Sequence, residues 1–455
     1  MKPARVRPIG HWLEPLLAIV ILAGLARAMI HVWTHGYLPQ PYFHEAGEVW
    51  MDWFSTAGWA RDPGTYDSWG SVYPPLTFVL LKLMGLPFCY MQGGGGEGGY
   101  AARGCDWLGA VAIHAIFVLN VVLIARTFVR IDRRTAWPRA VALSAGLPMT
   151  AALERGNLIL LAFTGLILAY GPLLRSARWR WVAVACAINL KPYLIATLFP
   201  QLLRRRWRWF EGAVFTVVIV YLVSFAMLGR GTPWEIVTNI TGFAEGQADA
   251  LPNLWYAYTY ASTMTLLQAG DLPVASLIGA ANVDALLVVL PALTLIAQGL
   301  IVAAAAAAWL RPEAVPMFRL TALGLCFALV TSETGGYAAM LPILFVFMEP
   351  WRGSARKCAI VACYLICVPL DWPLYSMPPL VRETFFGGRV QPVDYAIMLG
   401  PFVRPMLNMS IPVALACLTL REVWDDIRGQ RWRSRRRFRH DLHILTGEGQ
   451  AVRPA

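Results

Sequence analysis

Apolar stretches long enough to cross a lipid bilayer recur along almost the entire chain, and this feature limits the fold more than any other. A transmembrane helix needs roughly 20 predominantly apolar residues. Only 15% of the residues are charged, against about 25% in soluble globular proteins. The sequence therefore predicts an all-α polytopic membrane protein with a bundle of about 10–13 transmembrane helices. The candidate spans are 12–34, 73–91, 107–129, 137–153, 157–174, 179–203, 209–229, 284–310, 317–332, 335–350, 355–373 and 401–421.

The positive charges are distributed as in a membrane protein and not as in a nucleic-acid-binding protein. The formal net charge is +12, but the arginines cluster at the ends of apolar stretches and in the C-terminal tail, as the positive-inside rule and attraction to anionic lipids require. Lys2, Arg5 and Arg7 predict a cytoplasmic N-terminus, and the first stretch, Trp12 to Val32, is interpreted as an uncleaved helix. We expect a multi-pass protein of the inner (plasma) membrane that binds no nucleic acid.

The polar segments between the spans define the domain organisation. In this interpretation residues 1–425 form a single transmembrane domain and 426–455 form a basic cytoplasmic tail. Because the N-terminus is cytoplasmic, 35–72 becomes the first periplasmic loop, and 230–283 and 374–400 are later external loops. We expect interfacial helices within 35–72, where aromatic residues are frequent.

Two regions do not fit a simple count of spans. Arg126 to Arg139 are expected in the cytoplasm, whereas counting places them outside. The segment 179–203 has basic ends and carries Lys191 and Pro192 at its middle. Proline interrupts the helical hydrogen bonds, and a lysine at bilayer depth is costly unless it is solvated or used. We expect two half-helices that enter from the cytoplasm and meet near Lys191, and the helix count around both regions stays open.

The cysteines indicate at most one disulfide bond and no metal centre. Cys89 and Cys105 flank a glycine-rich segment, Gly93 to Gly99, and could pair if that segment is external. Most other cysteines lie in apolar stretches, where a small buried thiol is the ordinary interpretation. The sequence has no Cys-x-x-Cys pair or His/Cys cluster. The glycine-rich segment also lacks the Lys-Ser/Thr ending of a phosphate-binding loop.

The densest group of carboxylates next to a predicted span lies in the first loop. Glu45, Glu48 and Asp52 have spacings of three, four and seven, so a helix over these residues would place them on one face. Trp50 and Trp53 lie among them, which predicts an amphipathic helix at the membrane interface. A carboxylate there could act as the general base of an enzyme. The alternative is a solvated acidic face.

Three further polar motifs lie at the predicted edges of spans. Tyr-Pro-Pro-Leu at 73–76 precedes a span, and two prolines suit the first turn of a helix. Glu-Arg-Gly-Asn at 154–157 either offers donors to a phosphate at a helix N-terminus or caps a hairpin with a Glu154–Arg155 pair. Thr331 to Thr334 and Tyr337 form a polar break between two apolar stretches. An acid-base group together with cations at a membrane edge matches chemistry on a lipid phosphate.

The order of these motifs resembles that of the GT-C superfamily of polyprenol-phosphate-sugar-dependent glycosyltransferases, most closely the mannosyltransferase-like glycosyltransferase family 87. The similar features are an acidic residue in the first loop (Glu48), Tyr-Asp at 66–67, Tyr-Pro-Pro-Leu at 73–76, Arg-Gly-Asn at 155–157, Lys-Pro-Tyr at 191–193 before the basic run 204–208, and Ser-x-x-x-x-Tyr at 332–337. The resemblance covers roughly residues 10 to 350. The family usually has aspartate in the loop, so the identity of the base among Glu48, Asp52 and Glu45 stays open.

The resemblance implies a GT-C-like fold. It also implies the function of an inverting glycosyltransferase that moves a sugar from a polyprenyl phosphate to a glycan or glycolipid acceptor at the periplasmic face. A carboxylate would take the proton of an acceptor hydroxyl, and fixed cations would stabilise the leaving phosphate. The scheme needs no metal, nucleotide or other cofactor, and its partners are the donor, the acceptor and membrane lipids. The expected site residues are Glu48, Asp52 and Glu45 for catalysis, Arg155, Lys191 and Asn157 for the donor phosphate, and Asp67, Tyr73, Pro74 and Tyr337 for substrate binding.

Two other functions are compatible with the sequence. A transporter or flippase of lipid-linked sugars would explain the break at Lys191, but it predicts two related halves, and no internal repeat is evident. A glycan polymerase or ligase would use a lipid diphosphate and arginines in large external loops, whereas Arg230 is the only arginine in 230–283. That loop could close over an acceptor, or anchor at the interface, through its aromatic residues Trp255, Tyr256, Tyr258 and Tyr260.

Overall fold

The computed structural model of the protein describes residues 10–43, 45–91, 97–246, 257–269, 274–330, 335–387 and 389–429. Most of these residues are helical. The α-helices are α1 Gly10–His35, α2 Met51–Trp59, α3 Pro75–Leu83, α4 Glu97–Cys105, α5 Trp107–Ile131, α6 Ala136–Ala145, α7 Leu147–Arg155, α8 Ile159–Tyr170, α9 Ala177–Ile188, α10 Phe199–Leu203, α11 Trp207–Leu228, α12 Pro233–Gly246, α13 Tyr260–Ala269, α14 Val274–Ile278, α15 Ala280–Leu310, α16 Met317–Val330, α17 Met340–Val346, α18 Ser354–Cys367 and α19 Gly400–Arg428. Short 3-10 helices cover Ala46–Glu48, Pro87–Tyr90, Pro192–Leu198 and Gly336–Ala339, and two strands are β1 Pro373–Glu383 and β2 Val390–Met398.

Within the described residues, five helices are long and apolar enough to cross a membrane: α1, α5, α11, α15 and α19. Large apolar side chains on their outer faces are exposed, for example Val118 and Leu119 on α5 and Val288 on α15. A soluble protein rarely exposes contiguous apolar surface of this extent. The helices therefore indicate a membrane protein, as the composition predicts.

Most of the other predicted spans contain shorter helices than expected. The segment 73–91 folds as α3 and the 3-10 helix Pro87–Tyr90, and 137–153 is divided between α6 and α7. The break before α7 has a local cause, because Gly146 is extended and Pro148, two residues later, has no N–H to continue the hydrogen bonds of α6. Helix length thus does not confirm the predicted 10–13 crossings, since apolar composition alone does not show where glycine and proline interrupt a stretch.

The short helices form the interior of the bundle. Phe163 and Leu166 on α8 and Phe345 on α17 are fully buried. Gly165 lets α8 approach α9 closely, because a Cβ there would lie 2.7 Å from the carbonyl oxygen of Ala183. Small residues at such contacts are typical of helix packing in membrane proteins.

The predicted loop 374–400 contains a β-hairpin, which the sequence analysis did not predict, in a structure that is otherwise mainly helical. Strands β1 and β2 are antiparallel, with Pro373 opposite Met398 and Glu383 opposite Val390. The register shifts between Met377 and Leu380, around two prolines. Prolines argue against a central strand, but a two-stranded sheet consists only of edge strands, which accommodate them.

A buried network of ion pairs fastens helix ends at the side of the bundle where α1 begins. Arg139 on α6 binds Glu14 on α1 at 2.7 Å, and both side chains are 3% exposed. The Tyr364 hydroxyl donates to the same Glu14 carboxylate. A second pair joins Arg319 on α16 to Glu349 at 2.5 Å. Buried charges that are paired and hydrogen-bonded in this way become costly once one partner is removed.

Replacing Arg139 by methionine tests this network. Arg139→Met leaves the buried Glu14 carboxylate with the Tyr364 hydroxyl as its donor, so we expect the free energy of unfolding to fall by about 3–5 kcal/mol. Thermal unfolding of the purified protein in detergent measures the change. The matched control is Arg421→Met, because the Arg421–Asp425 pair is exposed and contributes about 1 kcal/mol or less. Equal stability of the two variants would contradict the assigned role.

Candidate functional site

The turn between α7 and α8 presents Arg155 and Asn157 side by side. Gly156 ends α7 in the left-handed conformation, with a φ of 65°, which glycine adopts without steric cost. The Asn157 N–H donates to the carbonyl of Ala152 at 2.9 Å. The Asn157 side-chain oxygen accepts the Ile159 N–H at the start of α8, also at 2.9 Å. Because that oxygen is occupied, the amide nitrogen of Asn157 points away from α8.

Asp52, in the first turn of α2, is bound by both of these residues. The Arg155 Nη2 atom lies 2.9 Å from Asp52 Oδ1, and Asn157 Nδ2 lies 2.7 Å from Asp52 Oδ2. The Asp52 and Arg155 side chains are 20% and 17% exposed. The pair is therefore held in one geometry and is still open to a molecule that reaches this end of the bundle.

Glu48 is the second carboxylate at Arg155. Its Oε2 atom lies 3.8 Å from Arg155 Nη1, and its Oε1 atom accepts a hydrogen bond from the Tyr100 hydroxyl on α4. This hydrogen bond, together with burial, raises the pKa of Tyr100 to about 12. The sequence analysis did not find Tyr100, since nothing in the spacing along the chain relates α4 to the first loop.

The predicted helix over Glu45 to Asp52 is wrong. The structure has a 3-10 turn at Ala46–Glu48, and Trp50 then adopts a left-handed conformation with a φ of 63° before α2 begins. The Trp50 N–H donates to the Glu154 carbonyl at 2.7 Å. This tertiary contact replaces the hydrogen bond that a continuous helix would make there.

The break separates the three carboxylates. Glu48 and Asp52 both face Arg155. Glu45 instead binds Arg382 of β1 at 2.9 Å, so it docks the β-hairpin against the first loop. The structure therefore brings two of the three predicted catalytic candidates together and assigns the third to a different contact.

Arg103 on α4 fixes the turn that carries Glu48. Its Nη1 atom donates to the carbonyls of Ala46 at 3.0 Å, Gly47 at 2.5 Å and Val49 at 3.2 Å. Cys105, two residues further along α4, forms a disulfide bond with Cys89, a pairing that the sequence analysis left open. The disulfide ties α4 to the 3-10 helix Pro87–Tyr90, so α4 is a covalently fixed support for the turn.

Lys191 reaches the same cluster from another pair of short helices. It lies between α9 and the 3-10 helix Pro192–Leu198, so the predicted break at Lys191 and Pro192 is confirmed. Its ammonium lies 3.4 Å from the Tyr73 hydroxyl and 4.6 Å from the centre of that ring. Lys191 and Tyr73 both interact electrostatically with Asp52. The fold thus assembles Asp52, Tyr73 and Lys191 from segments far apart in the sequence.

The other predicted substrate-binding residues differ in their burial and contacts. Pro74 precedes α3, which begins at Pro75 as expected. Asp67 is exposed, whereas the neighbouring Tyr66 is buried and donates to the Tyr73 carbonyl at 2.8 Å. In the predicted Tyr-Asp element, the tyrosine therefore binds the main chain of Tyr73, and the aspartate is exposed.

Parts of the remaining predictions lie outside the described residues. Tyr337 lies on the 3-10 helix Gly336–Ala339, which packs against α7. Thr331 to Thr334, Trp255 and Tyr256 are not among the residues that the structure describes, nor is the basic tail from 430 onwards.

The arrangement brings together a carboxylate, Asp52, which can accept a proton, and two cations, Arg155 and Lys191, which can bind an anion. In the described part of the chain, no group of three or more His, Cys, Asp and Glu side chains is placed to hold a metal ion. Comparisons with protein families, with curated proteins and with solved structures found no match.

Substituting Gly156 tests the turn on which Arg155 and Asn157 depend. A Cβ at this position would lie 2.9 Å from the Trp50 Cα, and the left-handed backbone adds strain. We expect Gly156→Ala to lower the free energy of unfolding by about 1–3 kcal/mol. The control is Gly104→Ala on α4, where an added Cβ meets no atom within 4 Å. Equal thermal stability of the two variants would show that the turn tolerates a side chain.

Proposed function

We propose that this protein is an integral membrane glycosyltransferase that transfers a sugar from a polyprenyl-phosphate donor to a glycan or lipid acceptor. The observation that supports this best is the contact of Asp52 with Arg155 and Asn157, next to Lys191. A proton acceptor and fixed cations at one end of an apolar bundle suit a reaction on a lipid phosphate. The order of sequence motifs favours the same class of enzyme.

We place the cluster on the periplasmic face of the inner membrane. Arg139 is bonded to Glu14 near the N-terminus, which the positive-inside rule assigns to the cytoplasm. If 73–91, with its short α3, does not cross the membrane, α5 runs inwards and every arginine-rich connection becomes cytoplasmic. These connections are 126–139, 175–180, 204–208 and 352–356. The Asp52 cluster then lies at the opposite, external end of the bundle.

Asp52 is the base that the geometry favours. An acceptor hydroxyl gives its proton to Asp52, its oxygen forms a bond to the anomeric carbon, and the bond between that carbon and the phosphate oxygen breaks. The electron pair of the broken bond stays on the polyprenyl phosphate. Attack opposite the leaving group inverts the anomeric configuration.

Arg155 would exchange partners in this reaction. The Asp52 carboxylate now occupies its guanidinium, and the phosphate of an incoming donor would compete for the same groups. When Arg155 turns to the phosphate, the Asp52 oxygen that it held is released and can accept the proton of the acceptor hydroxyl. Lys191, which is 8% exposed, would supply a second positive charge to the departing phosphate.

A transporter or flippase of lipid-linked sugars is the second candidate. The interruption at Lys191, between α9 and the 3-10 helix Pro192–Leu198, is a feature that binding sites of transporters also use. Sealed vesicles separate the two functions. Uptake of the lipid-linked sugar without a glycosylated product would favour transport, and product formation in detergent would favour transfer.

Amide substitutions of the three carboxylates test the base. We expect Asp52→Asn to lower the rate of transfer from a radiolabelled polyprenyl-phosphate sugar by about 10²–10⁴-fold, the usual contribution of a general base. Glu48→Gln should lower it less. Glu45→Gln is the matched control and should stay within about threefold, because Glu45 binds the β-hairpin. Wild-type rates for all three variants would exclude this cluster as the reaction centre.

Lys191 is tested through its effect on the donor. Lys191→Met removes the cation and keeps the length of the side chain, and we expect kcat/KM for the donor to fall by about 10–100-fold, the value of a hydrogen bond to a charged group. Lys191→Arg should retain part of the activity. Lys82→Met serves as the control, since Lys82 is an exposed lysine on α3. An unchanged kcat/KM in Lys191→Met would leave Lys191 with a structural role only.

A further inference from the structure

Glu154 is a buried acid to which the proposed mechanism assigns no role. It lies in the last turn of α7 and is 7% exposed. Its Oε1 atom accepts the Phe43 N–H at 3.0 Å. Its Oε2 atom is buried and has no hydrogen-bond partner among the described residues. An ionised carboxylate in this position would be left with one oxygen unsatisfied, which is costly.

The main chain of Glu154 binds the other end of segment 43–50, whose first residue contacts the Glu154 side chain. The Trp50 N–H donates to the Glu154 carbonyl at 2.7 Å, so both ends of segment 43–50 are bonded to Glu154. Arg103 holds the middle of that segment through the carbonyls of Ala46, Gly47 and Val49. Segment 43–50 contains Glu48 and leads directly into α2.

We propose that Glu154 is a positioning residue: it attaches segment 43–50 to the end of α7 and so sets Asp52 and Glu48 against Arg155. The attachment itself follows from the contacts of Glu154, and its catalytic consequence rests on the glycosyltransferase function proposed above. The Glu154 side chain holds the Phe43 end of the segment, and the Glu154 main-chain carbonyl holds Trp50, two residues before Asp52. Movement of the segment therefore changes the position of the Asp52 carboxylate.

The protonation state of Glu154 determines how well it performs this role. Burial raises the pKa of Glu154 to about 8, and the Asp52 charge acts in the same direction, while Arg155 and the Phe43 N–H oppose it. The Tyr42 hydroxyl, which is bonded to Thr150, also interacts electrostatically with Glu154. At neutral pH Glu154 is therefore mainly a neutral acid, which costs less to bury than a carboxylate.

Ionisation of Glu154 disturbs the cluster around Arg155. The new charge is buried, and the adjacent Arg155 is already bound to Asp52 and Glu48. The ionised Glu154 would compete with Asp52 for that guanidinium. The folded protein retains a proton on Glu154 that the unfolded chain releases near pH 4.5. The free energy of unfolding therefore falls as pH rises from about 4.5 through 8, and Glu154 causes no further change above that.

Hydrogen–deuterium exchange of segment 42–50 tests the attachment without any substrate. The full-length protein is compared with Glu154→Gln, which accepts the Phe43 N–H without a charge, and with Glu154→Ala, which cannot accept it. Glu211→Gln is the matched control, since Glu211 is an exposed glutamate on α11. After correction for the intrinsic rate of exchange, protection is measured at several pH values between about 6 and 9. This range includes the raised pKa of Glu154.

The variants should differ in both size and pH dependence of protection. In wild type and in Glu211→Gln we expect protection of the segment to fall by about tenfold between neutral pH and pH 9, because opening of the segment relieves the cost of burying the ionised Glu154 carboxylate. Glu154→Gln should keep its protection across the range, and Glu154→Ala should be about tenfold less protected at every pH. Wild-type protection in Glu154→Ala, or the same pH dependence in wild type and Glu154→Gln, would overturn the proposal.

The catalytic consequence has a separate readout. Transfer by the wild type should decline above about pH 8, whereas Glu154→Gln should retain its rate there. If the wild-type protein transfers no sugar from a polyprenyl phosphate, the proposed function fails, and the exchange experiment still decides the role of Glu154. If transfer occurs with the same pH profile in both proteins, Glu154 does not position the catalytic groups.

Discussion

The ion pair between Asp52 and Arg155 joins the first loop to the turn between α7 and α8, and the candidate site is built around this contact. Neither residue would hold its position alone, because α2 begins after an irregular turn and Arg155 is the last residue of α7. Asn157 gives the pair its orientation, since its oxygen caps α8 and its nitrogen is left for Asp52. A carboxylate with both oxygens bound has one defined direction.

Several separate parts of the chain converge on this pair. Segment 43–50 is held by Glu154 on one side and by Arg103 on the other. Lys191 arrives at the junction of two short helices. Interrupted helices are costly in lipid, because their backbone groups lose their partners, and they are tolerated where they line a cavity or pack within protein. The short helices that reduce the number of full-length spans are thus the same ones that supply the polar groups.

The Arg139–Glu14 and Arg319–Glu349 pairs are more deeply buried than the Asp52–Arg155 pair. At the end where α1 begins, Arg139, Glu14, Arg319 and Glu349 are almost fully buried and bonded to one another. Such pairs fasten helices and are closed to solutes. At the other end the Asp52–Arg155 pair is partly exposed, so an anion can compete for the arginine.

The sequence by itself determined the features that depend on local chemistry. Long apolar stretches indicate membrane helices, and Lys191 with Pro192 marks a break. The sequence left the pairing of Cys89 with Cys105 open, and the structure decided it. Only the tertiary structure decided which carboxylate meets Arg155, because a bond from Trp50 to Glu154 replaces the helix that the spacing predicts. The β-hairpin, Tyr100 and the burial of Glu154 were decided in the same way. Each results from contacts between segments far apart in the chain, and no local spacing of residues encodes such contacts.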